Sequence, residues 1–280
     1  MPIRAGVPLV KELDDILGSE FYRAMLAQSE RFLAAAARPL RRYRWSPAAN
    51  PLRNWSRRWE YPFVAERLLA FAGANAEGPF RLLDAGSGVT FFPYFLAEQI
   101  DDAQVVCCDS NPSYERAFNS INAALHTDAV RFVRSGLDDI PLADASVDAI
   151  CCISVLEHAG GHTQILDKFR RVLRPGGLLT VTFDVSVDGR GRLLCAEAEK
   201  LGAALGARFT VEEGCDVAAE LRRLDRPEDI LTTDHVRRTR PELLPWKHPV
   251  LKSFYDLVRG RGWSGGFYSL ACCGLAARRP

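Results

Sequence analysis

The chain has no CxxC pair, no apolar run near the roughly 20 residues that a membrane-spanning helix needs, and a net charge of only +1. Each lack removes a class of protein. Six of the eight cysteines stand as adjacent pairs, Cys107-Cys108, Cys151-Cys152 and Cys272-Cys273, each inside an expected strand. Neighbours on a strand point to opposite faces, so such a pair cannot grip one metal ion, and no metal site is expected. The cysteines read as small buried apolar residues in a reducing compartment. The stretch MPIRAGVPLVKELDD lacks the long apolar core of a secretory signal, so the expectation is a cytoplasmic protein with no membrane partner. A net charge so near zero supplies no field to gather nucleic acid or anionic lipid. Basic residues do gather with aromatics at RPLRRYR (38–44) and RNWSRRW (53–59). These segments are either solvated helix faces or a cofactor-carboxylate contact, or else a local phosphate or RNA patch.

What is present is a regular beat. Continuously apolar, strand-like runs occur at RLLDAG (81–86), QVVCCDS (104–110), VRFVRS (130–135), VDAICCIS (147–154) and GLLTVTFDV (177–185). Amphipathic segments alternate with them: FFPYFLAEQI, YERAFNSINAAL and HTQILDKFRRVLR, the last stopped by RPGG (174–177). Such alternation indicates a parallel sheet covered on both faces. Two further strands are expected at RFTVEE and FYSLACCGLAAR, making a doubly wound, mostly parallel seven-stranded α/β sheet. Residues 1–79 form an N-terminal helical lid or extension. A less regular excursion, at about 214–249, precedes the last strand of the unit spanning 80–280.

In RLLDAGSGVTFFPYFLAEQ (81–99), an apolar strand reaches Asp84, passes Gly86, Ser87 and Gly88, and enters a helix. In a parallel α/β sheet, ligands sit beyond the carboxyl ends of the strands at the switch in strand order. The glycines allow a sharp turn and a close backbone approach to a ligand. Asp109 ends the second strand 21 residues after Gly88, where its carboxylate can accept both hydroxyl hydrogens of a ribose. Phe91 replaces the third glycine of G-x-G-x-x-G, which hinders a pyrophosphate, while Asp84 suits a cationic ligand. The alternative for each acid is structural: Asp84 capping the turn, and Asp109 with Ser110 and Asn111 capping the next helix.

Taken in order, LLDAGSG, VVCCDSN, GLDDIPLADASVDAICCISVLEHAG and RVLRPGGLLTVTFDV resemble the successive motifs of class I S-adenosylmethionine-dependent methyltransferases over about residues 80–185. The resemblance implies a methyltransferase domain over 80–280 with S-adenosylmethionine as cofactor and S-adenosylhomocysteine as product. It implies that Asp84, Gly86, Ser87 and Gly88 line the methionine end and that Asp109 takes the ribose hydroxyls. Ser110 would lie beside the ribose or adenine, Leu137 and Asp138 would flank the adenine, and Ser154 with Val155 would line the cofactor. Gly136 stands where family members often carry an acid for the adenine amino group, so that contact is shifted or made by backbone. SRRWEYPFV (56–64) resembles a segment that folds over the cofactor in small-molecule members, with Arg57 or Glu60 near the methionine group.

A hydroxyl acceptor needs its proton removed around the transition state, whereas an amine needs the right protonation state. The candidate bases are His158, in SVLEHAGGH at the end of the fourth strand, and Asp184, at the end of the fifth. For His158 the alternative is a structural role, and His162 is as readily a helix cap. Trp45, Trp55, Trp59, Tyr61 and Trp246 either wall a pocket for a ring-bearing metabolite or pack the added helices on the sheet. With no zinc, DNA-reading or RNA-recognition motif, the expected acceptor is a small molecule, a specialised metabolite or sugar-like compound methylated on oxygen or nitrogen. Nucleic acid is disfavoured as a partner. The competing readings are an NAD(P)-dependent oxidoreductase and a non-catalytic cofactor-binding or partner subunit.

Overall fold

A computed structural model describes residues 2–41, 43, 50–75, 78–225, 227–244, 249–258 and 268–280. Trp45 and Trp246 lie outside these residues. Four helices come first: α1 (Val10–Gly18), α2 (Glu20–Ala35), α3 (Ala37–Leu40) and α4 (Trp55–Ala74). The alternating part follows as β1 (Phe80–Ala85), α5 (Phe92–Gln99), β2 (Ala103–Asp109), α6 (Tyr114–Leu125), β3 (Val130–Arg134), β4 (Val147–Ile153), α7 (His162–Val172) and β5 (Leu173–Ser186). Next come α8 (Cys195–Gly206), β6 (Thr210–Val211), α9 (Val217–Arg222), α10 (Thr233–Thr239), α11 (Pro249–Val258) and β7 (Leu270–Arg278).

Among the described residues the strands form one seven-stranded sheet, in the order β3-β2-β1-β4-β5-β7-β6. The first five run parallel, and β7 inserts antiparallel to both β5 and β6. Strand order reverses between β1 and β4, which opens a crevice at the carboxyl ends of the strands. Alternate side chains feed two cores. Leu82, Cys107, Cys151 and Cys272 join one with α4, α5 and α6. Leu83, Cys108, Cys152 and Cys273 join the other with α7 and α8. Each adjacent cysteine pair is therefore split between the two faces, as strand geometry requires.

One local reading changes in the fold. RPGG does not lie in a loop between helix and strand. The helix ends at Val172, and residues 174–177 form an irregularity within β5, where the pairing skips from Val147–Leu173 to Ala149–Leu178. Gly176, at φ +72°, accommodates the extra residues. The segment SRRWEYPFV belongs to one 20-residue helix, α4, with Pro62 inside it. That helix lies on the sheet: Trp59 and Phe63 stack at 4.8 Å and meet β7 at Gly274, where a Cβ would fall 2.6 Å from Trp59. The outer edge of β7 is covered piecewise by β6, Gly6 and Thr232, which leaves it little chance to pair with another chain. No described helix is long and apolar enough to cross a membrane.

Candidate functional site

A cavity of about 510 Å³ opens at the carboxyl ends of β1, β2 and β4. Its floor is the β1–α5 loop. Gly86 has φ +77°, and a Cβ there would fall 2.5 Å from Val155 Cγ2, so only glycine lets this loop pass the end of β4. Gly88, at φ +56°, meets nothing nearer than Thr90 at 3.9 Å, which leaves its backbone bare toward the cavity. The loop hands over to α5 through Thr90, whose hydroxyl accepts the Phe92 N–H (3.3 Å), with Pro93 in the first turn.

Asp84 is 4% exposed and lines the cavity. Burial, helped by the charge of Asp109, pushes its carboxyl up to about 7, although the Cys151 thiol donates to it at 3.7 Å. Asp109 at the end of β2 is partly buried. Its Oδ2 accepts the Gly88 N–H (3.3 Å) and its Oδ1 the Asn111 N–H (2.9 Å), tying the two ligand-facing loops together. Asn111 in turn takes the Ser113 N–H (3.0 Å) just before α6. Asp109 therefore braces the turn and also lines the cavity, but it does not cap α6, whose N-cap is Ser113.

The opposite wall comes from α4. Arg57 lines the cavity, and its Nη1 reaches both Glu60 and the Ser154 hydroxyl (2.6 Å). Glu60 is fully buried; its Oε1 accepts the hydroxyls of Ser154 and Thr182, each at 2.6 Å. Burial opposes the charge of Arg57, but the adjacent Glu60 outweighs it and raises the guanidinium above its ordinary pKa. Ser154 holds a left-handed backbone (φ +50°), a strained conformation for a residue with a Cβ, and the three-way bond to α4 sustains it.

The cavity gathers Arg57, Asp84, Gly86, Ser87, Gly88, Asp109, Ser154, Val155 and His158 from among the residues singled out in the sequence. Glu60 stands behind Arg57 rather than on the wall. Ser110, Leu137 and Asp138 do not line the cavity; Ser110 and Asp138 are exposed. Asp138 nevertheless folds back so that its Oδ1 fills the place a side chain on residue 136 would take. Asp184 also lies off the wall, partly buried at the end of β5. His162 begins α7, with its Nε2 2.8 Å from the Leu156 carbonyl. Of the aromatics, Tyr61 lines the cavity and stacks on Phe92 (4.3 Å), whereas Trp55 and Trp59 are buried as packing. Pro51, Asn54, Thr90, Phe92, Tyr114 and Ile153 complete the lining, and none was foreseen. Tyr114 and Ile153 flank the ends of expected elements and were legible as positions; Pro51 and Asn54 depend on how the segment before α4 folds back.

Residues 83–181 match a family model described as a methyltransferase domain. A thiol S-methyltransferase from Homo sapiens is 34% identical over 111 residues, 38% of this chain and 43% of that protein. A demethylmenaquinone methyltransferase from Deinococcus radiodurans is 31% identical over 115 residues, 41% of this chain and 47% of that protein. The chain thus spans less than half the length of these curated relatives. Among solved structures, the cyclase SpnF superposes with a TM-score of 0.51 at 20% identity, covering 79% of this chain and 83% of that one. A geranyl diphosphate methyltransferase in complex with S-adenosylmethionine superposes with a TM-score of 0.50 at 17% identity, covering 80% and 86%. At these identities the two structures establish the fold.

Proposed function

We propose that the chain, whose residues 83–181 match a methyltransferase-domain model, is a class I S-adenosylmethionine-dependent methyltransferase that methylates an oxygen or nitrogen atom of a small molecule. The observation that carries this reading is Asp84. A buried carboxylate on a cavity wall, with a thiol and a second carboxylate as neighbours, is chemically complementary to a cation. The rest of the donor set fits the same guest. Asp109 faces the cavity as an acceptor for two ribose hydroxyls, and Gly86 and Gly88 let bare backbone approach. Arg57 would pair with the cofactor carboxylate, held in place by Glu60 and Ser154. Leu137, Asp138 and Ser110 would lie around the adenine, outside the cavity as it stands.

When bound, S-adenosylmethionine would supply a methyl group carried on a positively charged sulfur. The chain's own part is to orient and to exclude water, which can remove several kcal/mol of barrier. Tyr61 stacked on Phe92 closes one wall, and Ser154 with Val155 closes the β4 side. His158 lines the same cavity and would take a proton from a hydroxyl acceptor; Asp184, off the cavity wall, is the second candidate. The acceptor in this reading is a specialised metabolite or sugar-like compound. The nicotinamide alternative is disfavoured by Phe91, which is 1% exposed and packed against Tyr61 and Phe95 where a dinucleotide loop needs a third glycine.

Calorimetry with S-adenosylhomocysteine and with NADH tests the reading. S-adenosylhomocysteine binds, NADH does not, and Asp109→Asn weakens S-adenosylhomocysteine about tenfold or more, because the amide cannot accept both ribose hydroxyls. An unaltered dissociation constant in a folded variant, or binding of NADH alone, refutes it.

A further inference from the structure

Among the described residues five large apolar side chains are exposed, and four of them fall within eight residues of one helix. Leu251, Phe254, Leu257 and Val258, all on α11, are 50–68% exposed. The last three lie three, six and seven positions beyond Leu251, so all four share one side of the helix and form a continuous stripe. Among the α11 positions whose burial is described, the buried one is the polar Ser253, at 1% exposed. The helix thus turns Ser253 toward the body and its large apolar residues away from it, the reverse of an ordinary surface helix. A single exposed leucine is normal, but a stripe of this kind marks an interaction surface.

Charge decides what covers it. In sequence, the stretch from Trp246 to Trp263 holds Lys247, Lys252, Arg259 and Arg261 against one acid, Asp256, a net +3 in a chain whose total is +1. A two-fold contact between copies would bring two such basic stretches together, and their like charges would oppose it. An anionic lipid surface supplies the opposite charge. Its interfacial layer also takes up Leu, Phe and Val side chains and favours tryptophans at either end of the segment. α11 has ten residues, and no described helix is long and apolar enough to cross a membrane, so the contact is that of a helix lying in the plane of the interface. The near-zero total charge does not oppose it. Salt confines electrostatic attraction to about 10 Å, so the local patch acts rather than the sum over the chain.

We infer that α11 docks the protein on the surface of an anionic lipid bilayer, with its apolar stripe entering the interfacial layer and the basic stretch around it attracted to the headgroups. The inference sets aside the expectation of no membrane partner, which rested on the lack of a spanning segment and of net charge, and it is independent of the methyl-donor reading. The test is co-sedimentation of the full chain with vesicles of phosphatidylcholine alone and of phosphatidylcholine mixed equally with phosphatidylglycerol. The mixed vesicles bind the chain about tenfold or more tightly than phosphatidylcholine alone. Their hold weakens about tenfold or more in salt of about 1 M, where the screening length shrinks to about 3 Å. The Phe254→Gln/Leu257→Gln double variant binds the mixed vesicles about tenfold or more weakly, while its melting temperature stays that of the wild type, because both side chains are largely exposed. The inference is overturned if the chain does not bind the mixed vesicles, binds both compositions equally, or binds undiminished in the double variant. It is also overturned if light scattering shows a dimer of the lipid-free chain that the double variant dissociates, since the stripe would then be a contact between copies. The composition and salt arms use the unaltered chain, so they decide the matter even where the double variant does not fold.

Discussion

Removing Glu60 tests the anchor between α4 and the sheet. Its side chain is fully buried and takes three hydrogen bonds, from Arg57 Nη1, Ser154 Oγ and Thr182 Oγ1. Glu60→Ala leaves a guanidinium whose side chain is only 21% exposed without its counter-charge, and two hydroxyls without an acceptor. Breaking one partner out of a buried ion pair costs about 3–5 kcal/mol, and here the two neutral bonds add to the lower end of that range. Glu60→Gln separates the contributions. Its amide oxygen still accepts from Ser154 and Thr182, so the loss is confined to the charge-assisted bond to Arg57, about 1.5–3 kcal/mol. Urea unfolding at pH 7 followed by circular dichroism reads both. For a chain of this size about 4 kcal/mol also lowers the melting temperature by roughly 8–16 °C. A Glu60→Ala variant within about 1 kcal/mol of wild type would mean that α4 is not held by this carboxylate.

Asp84 gives a pH signature with a definite sign. Its carboxyl titrates at about 7 when folded against an ordinary 3.8, so the native state holds a proton that the unfolded chain has released. Without ligand, its contribution to stability falls as pH rises from about 4 to about 7. A cation needs the ionised form, so affinity for S-adenosylmethionine rises through pH 7 and levels off about a unit above. Isothermal titration across that range checks it, and Asp84→Asn should abolish the rise; a wild-type affinity flat with pH contradicts the assignment. Gly274→Ala on β7 places a methyl 2.6 Å from Trp59 and 2.8 Å from Phe63. Both rings are fully buried and stacked, so overpacking should cost about 1–3 kcal/mol in chemical denaturation, and a neutral outcome would show that α4 yields easily.

Local pattern alone carried the parallel core of the fold. The strands β1 to β5 lie within a few residues of their apolar runs, and α6 spans the segment YERAFNSINAAL from end to end. These elements were legible because period and turn chemistry are properties of neighbouring residues. The same holds for the cysteine pairs, whose division between two cores follows from alternation along a strand. Asp84, the two glycines and Asp109 were legible for a related reason: each sits at a strand end, and strand order places those ends together.

The β4–β5 side of the site was not legible in this way. Glu60 read as a cofactor contact, yet its bonds reach Ser154 and Thr182, residues 94 and 122 positions away. Glu157 read only as a residue following the fourth strand beside His158, and nothing in that tripeptide says that its oxygens will be buried and unpartnered. The sequence by itself determined which residues form strands, where the glycines bend the chain and which acids end β1 and β2. Only the tertiary structure decided which buried charges are matched, because the cost of a charge is set by what long-range packing brings against it and how far it excludes water.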